Sequence, residues 1–162
     1  MKMEETNHWL TLAANLGVIA GIVFLGLEIQ QNTRMMQATA IQDSTDVARE
    51  QIMWLASDAE TNRIAMIGTE DPAKLTPEEW QRFFWMDRSF WLGMQGLYRQ
   101  WEMRVLPDEE WAVWTRIICQ NQLEAGNRLL WPGNKKTLIP SFIDWVEDTC
   151  KTQGELEGVL PQ

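Results

Sequence analysis

The chain has one histidine and one tyrosine among its 162 residues and only two cysteines, and no proline precedes Pro72. Each scarcity excludes a kind of chemistry. With His8 as the sole imidazole, a serine–histidine–acid triad, a zinc site and the Glu-xxx-His pairs of di-iron bundles lack their parts. Cys119 and Cys150 have neither the CxxC spacing of a metal or redox site nor the density of a secreted disulfide scaffold, so they are expected as buried free thiols. Lysine and arginine number 14 against 23 acids, a net charge of −9. They form no cluster that could track phosphates, so no nucleic acid is expected as a partner. A glycine-rich phosphate cradle and an activated-serine context are also missing. Asp144, Glu147 and Asp148 share a helical face, but without a loop of ligand spacing they read as a solvated acidic surface. The chain is therefore read as non-enzymatic, with no catalytic residue, no metal and no cofactor.

What is present begins with an apolar run. From Leu10 to Ile29 there are 20 residues whose only ionisable member is Glu28, close to the ~20 a helix needs to cross a hydrocarbon core of ~30 Å. His8 and Trp9 stand before it and Gln30, Gln31, Asn32 and Arg34 after it, the amphipathic and polar margins that an interface selects. A helix apolar on all sides inside a soluble domain would have to be wrapped completely by the rest of a short chain, which makes a transmembrane helix the expected state. The run is read as a retained anchor, since no small-residue cleavage pattern precedes Gln30.

At about 100° per residue, Ala13, Gly17 and Gly21 fall on one face of that helix. Such a small-xxx-small surface lets two backbones approach closely where lipid gives no hydrophobic drive, so it is the expected contact between copies of the chain. Glu28 lies about 20° from Gly17 around the axis and, with Gln31 and Asn32, would form a polar ring in an assembly. His8, Trp9 and Arg34 are expected as interfacial anchors. Arg34 and Arg49 after the span, against Lys2 before it, favour a cytoplasmic C-terminal domain at a bacterial inner membrane.

Beyond the span the chain reads as helix throughout, with neither strand-like alternation nor an internal repeat, so the expected class is all-α. Residues 1–9 are a tail, 10–29 the span, 30–57 a stalk helix, 58–152 a Trp-rich antiparallel helical domain and 153–162 a second tail. In the stalk, Ala38, Ile41, Thr45, Ala48, Ile52 and Leu55 make a heptad stripe, and the continuous helix would be about 75 Å long at 1.5 Å per residue. Asp58 caps a short helix that Gly68 is placed to stop. Thr76, Pro77 and Glu79 form a capping box for a helix running to about Val105, with Trp80, Phe84, Trp91, Met94, Tyr98, Trp101 and Val105 on its inner stripe. Asp87 sits in that stripe as a structural buried acid and needs an Arg or Asn partner, with Asn121 and Arg116 as candidates. A further helix is expected from Glu109 to Leu130, with Ala125 and Leu129 facing inward, and a last one from Pro140 carrying Phe142, Ile143, Val146 and Cys150.

The run Glu28-Ile29-Gln30-Gln31-Asn32-Thr33, followed by Leu75-Thr76-Pro77-Glu78-Glu79 and Leu106-Pro107-Asp108-Glu109-Glu110-Trp111, resembles a group of bacterial single-pass membrane proteins. In them an apolar N-terminal helix meets an E-x-x-Q-N-T-like junction and a Trp-rich helical domain. The chain departs from that pattern at Gln30, where the group suggests a basic residue. The resemblance implies the architecture and no activity. Three functions fit the residues: a self-associating scaffold or accessory subunit in contact with membrane lipid and a second membrane protein; a homo-oligomeric pore or ion channel with its polar ring near Glu28; and a Trp-lined helical module that binds an apolar ligand or lipid.

Overall fold

A computed structural model describes the backbone of residues 2–157 and the side chains of residues 7–151. Six α-helices follow one another, with no strand among the described residues: α1 (Lys2–Ser57), α2 (Ala59–Glu70), α3 (Pro77–Glu102), α4 (Asp108–Leu123), α5 (Ala125–Asn134) and α6 (Pro140–Glu157). Single 3-10 turns at Pro72–Lys74 and Lys135–Thr137 join α2 to α3 and α5 to α6. The all-α expectation is met, and the tails expected at 1–9 and 153–162 are helical as far as they are described. The chain divides after Thr39 into two compact units.

The first unit is the N-terminal part of α1. It contains the one described helix long and apolar enough to cross a membrane, with a mean hydropathy of 2.2 over its most apolar window and none of that window buried. The Gln30–Thr33 junction stays helical, and the Thr33 hydroxyl donates to the Ile29 carbonyl 2.9 Å away, the back-bonding by which threonine is accommodated inside a helix.

The second unit begins while α1 is still running, so one face of the helix is packed from Ala40 through Ala48. Ala40 and Ser44 are buried, with Val47 and Ala48 against the core, whereas Ile52 is 65% exposed. The inner stripe is thus rotated from the heptad read in the sequence: the helix seats its smallest side chains where approach is closest. The Ser44 hydroxyl stays satisfied by the Ile41 carbonyl at 2.8 Å.

Asp58 caps α2 by accepting from the Thr61 amide at 3.0 Å. Gly68 does not stop the helix, which continues to Glu70. A Cβ at Gly68 would stand 2.5 Å from the Phe83 ring, and one at Gly126 would stand 1.8 Å from the Gly68 carbonyl oxygen. These two glycines therefore let α2 and α5 meet backbone to backbone beside α3. The capping box of α3 is present as expected, Glu79 N–H to Thr76 Oγ1 and Thr76 N–H to Glu79 Oε2. The inner face runs through Phe83, Asp87, Trp91, Met94, Leu97 and Tyr98; Trp80 is 38% exposed and Phe84 half-buried, so the expected stripe holds only from Trp91 onward.

α3 ends at Glu102 rather than near Val105. The Arg104 and Val105 amides turn back to the Trp101 and Gln100 carbonyls at 2.8 and 2.9 Å, and Arg104 takes φ 57°. This is a Schellman ending with arginine where glycine is usual, so the residue that signals such a stop is missing from the sequence. The helix expected to run from Glu109 to Leu130 is broken at Glu124, whose ψ of 134° is extended. The break re-phases the chain: Leu130 is buried and Leu129 is 62% exposed.

Tyr98, Trp101, Trp111, Phe142 and Trp145 pack as tilted and stacked pairs across α3, α4 and α6, with ring centroids 4.9 to 6.3 Å apart. Such pairs add to the roughly 1.5–3 kcal/mol that burying each large side chain supplies. Cys119 and Cys150 are not free thiols but a disulfide that ties α4 to α6. Sequence spacing alone could not show that the two helices lie side by side.

Candidate functional site

The residues singled out on the span all lie exposed on the first unit: His8, Trp9, Ala13, Gly17, Gly21, Glu28, Gln31, Asn32 and Arg34. Nothing lies within 4 Å of where a Cβ would stand on Gly17 or Gly21. The structure gathers none of these residues into a site within one chain.

Asp87 is different. It is 5% exposed and lies on the wall of a cleft of about 870 Å³ inside the second unit. The last turns of α1 give one side of the cleft through Val47, Gln51, Met53, Trp54 and Leu55, α2 gives Ala65 and Thr69, and α3 gives Phe83, Met86, Asp87, Phe90 and Gly93. Asn121 of α4 and Asn127 of α5 complete the lining. These helices converge because α2, α3 and α5 share the Ile64, Phe83 and Leu130 cluster and because the two glycines admit α5.

The polar groups are few and partly unmatched. Asn134 Nδ2 donates to Asp87 Oδ2. The expected asparagine partner is therefore real, but it is neither Asn121 nor Arg116. Asp87 Oδ1 and Asn121 Oδ1 are both shut from water and accept no hydrogen bond. Burial raises the Asp87 carboxyl from its ordinary 3.8 to about 6. The Asn134 amide opposes this, as does the Trp91 indole, which faces the carboxyl without completing a bond of ordinary geometry. No lysine or arginine lines the cleft. The adjacent cation, Arg88, is drawn the other way, donating to Thr137 Oγ1 at 2.6 Å and lying over the Phe84 and Trp85 rings. Glu50, exposed, adds a second acid to the lining.

Sequence reasoning identified Asp87 and named Asn121, but missed Trp54, Phe83, Phe90 and Asn127 as parts of one surface. Their juxtaposition depends on the break at Glu124 and on the Gly68–Gly126 contact, neither of which has a local signature. Compared with known proteins, the chain matches no family model, no curated protein and no solved structure.

Proposed function

We propose that the protein is a membrane-anchored helical binding module, the span holding it in the bilayer and the cleft of the second unit holding a small ligand. The cleft carries this reading. Its volume of about 870 Å³ falls in the ~300–1,000 Å³ range of small-molecule sites, and its mostly apolar wall with a few convergent polar groups is how such sites are built. A pore would act through the span and a scaffold through a protein-binding surface of the helical domain, whereas the cleft is a concavity of small-molecule size, which supports the module ahead of either. Self-association remains part of the proposal, because the open Ala13, Gly17 and Gly21 face suits close helix contact in lipid.

The Cys119–Cys150 bond supports an orientation opposite to the one the arginine count favours. Disulfides persist in extracytoplasmic compartments and are rare in a reducing cytosol, while two arginines against one lysine is a small bias. The second unit then faces the oxidising side, the periplasm if the membrane is a bacterial inner membrane. An impermeant maleimide should label Leu160→Cys in intact cells; labelling only after lysis would restore the cytoplasmic orientation.

The decisive test is native mass measurement of the full-length protein in detergent. Retention of a ligand of several hundred daltons, lost in Phe90→Ala, is expected. A ligand-free spectrum together with no saturable binding of apolar or amphiphilic probes would refute the module.

A further inference from the structure

A buried carboxylate in a cleft without a cation is an unfinished electrostatic arrangement. Taking a carboxylate out of water is expensive unless something positive or strongly donating replaces the water. Asn134 satisfies one oxygen of Asp87, while the other oxygen, faced by the Trp91 indole without a bond of ordinary geometry, and that of Asn121 complete no hydrogen bond. Both are acceptors, Glu50 adds negative charge, and the rest of the wall is aromatic and aliphatic surface interspersed with the neutral polar side chains of Gln51, Ser57, Thr69, Ser89 and Asn127. An anion would be repelled, and a purely apolar molecule would leave both acceptors bare.

We infer that the cleft takes an organic cation with an apolar body, a terminal ammonium on an aromatic or alkyl frame, its head at Asp87 and Asn121 and its body among Trp54, Phe83 and Phe90. The inference rests on the binding-module reading above and adds the chemical class of the ligand. An ammonium carries three donors and no acceptor, which suits Asp87 and Asn121 as lining residues; their unmet oxygens are shut from water in the empty protein, so the head meets them as those side chains turn toward the cleft. Aromatic walls suit it too, since cations are attracted to ring faces. The raised carboxyl agrees with this reading: with no cation beside it, burial lifts the group to about 6, and below that pH a proton takes the cation's place.

The test uses the full-length protein in a neutral detergent at pH 7.5, with three probes of one shape titrated by calorimetry against micelle blanks: phenethylammonium, 2-phenylethanol and 3-phenylpropanoate. Phenethylammonium should saturate one site per chain, roughly tenfold or more tighter than the alcohol, the scale of one charge-assisted hydrogen bond in a water-poor site, and the carboxylate should not bind. Asp87→Asn should reduce the amine to the level of the alcohol, while Glu50→Gln should change binding by no more than about threefold, the scale of an exposed charge. If Asp87→Asn does not fold, the pH profile of the unaltered protein replaces it. The amine stays charged, so its advantage should fall as the pH drops from 7.5 to 5 and Asp87 takes up a proton. Asp87 and Glu50 are the titratable groups of the lining, with α2, α4 and α5 contributing only Ala65, Thr69, Asn121 and Asn127, and the same profile in Glu50→Gln isolates Asp87. Equal binding of amine and alcohol, or an advantage flat with pH, would overturn the cation while leaving the module standing. Failure of all three probes to bind would overturn both.

Discussion

Replacing Asp87 with asparagine should make the second unit more stable at neutral pH, and the gain should depend on pH. The carboxyl rises from 3.8 to about 6 on folding, roughly two units, and each unit is about 1.4 kcal/mol. Because the folded state holds the proton more tightly than the unfolded state, this contribution is fully present below about pH 4 and is lost as the pH rises through about 6. The unaltered protein therefore forfeits about 2–3 kcal/mol between pH 4 and 7.5 that Asp87→Asn, which still offers Asn134 an acceptor, does not. The lowered acids, Asp58, Glu60, Glu79 and Glu147, slope the other way, but they are common to both proteins and cancel in the difference. At about 2–4 °C per kcal/mol for a chain of this size, the melting temperatures should diverge by about 5–10 °C at pH 7.5 and converge near pH 4. Near-ultraviolet circular dichroism in detergent is the suitable probe, since every tryptophan except Trp9 lies after residue 40. A difference that is constant from pH 4 to 7.5 would show that Asp87 is not held in a water-poor site and has no unmet charge for a ligand cation to answer.

Gly126→Ala should destabilise by about 1–3 kcal/mol or more as α2 and α5 are forced apart, whereas Gly93→Ala, whose Cβ would meet Val47 at an ordinary 3.6 Å, should be neutral or stabilising; thermal melts of the two separate close approach from glycine flexibility. Arg104→Gly should raise stability by up to about 1 kcal/mol by relieving the left-handed arginine, and a lowered melting point would count against the helix ending described. Reduction of Cys119–Cys150, which closes a loop of 31 residues, should remove about 3–4 kcal/mol, read as a fall in the same melting signal with dithiothreitol.

Features that a few neighbouring residues decide were legible in the sequence. The capping box at Thr76 and Glu79 is chemistry between residues three apart, and the apolar run at Leu10–Ile29 is a matter of composition. Asp87 was legible as a misfit because a carboxylate interrupts an aromatic stripe. What escaped were events decided by distant partners. Gly68 looks like a helix stop in isolation, and only the backbone of α5 shows that it serves contact. Arg104 gives no hint of a left-handed turn, and nothing near Glu124 in sequence requires the chain to leave the helix there. The pairing of Cys119 with Cys150 and the choice of Asn134 over Asn121 both depend on which helices lie together.

The contact between Gly68 and Gly126 bears on selectivity. With no side chain between them to change rotamer, α2 and α5 form a stiff corner against Phe83 and, one turn on, Asp87, so the end of the cleft that reads charge has little freedom to adapt. The final turns of α1 also line the cleft, and there Met53 and Trp54 are 58% and 46% exposed, so less of each side chain is held by packing. Such a site discriminates sharply among head groups and tolerantly among tails: lengthening or branching the apolar body should alter affinity in small steps, while adding one methyl to the nitrogen should alter it abruptly.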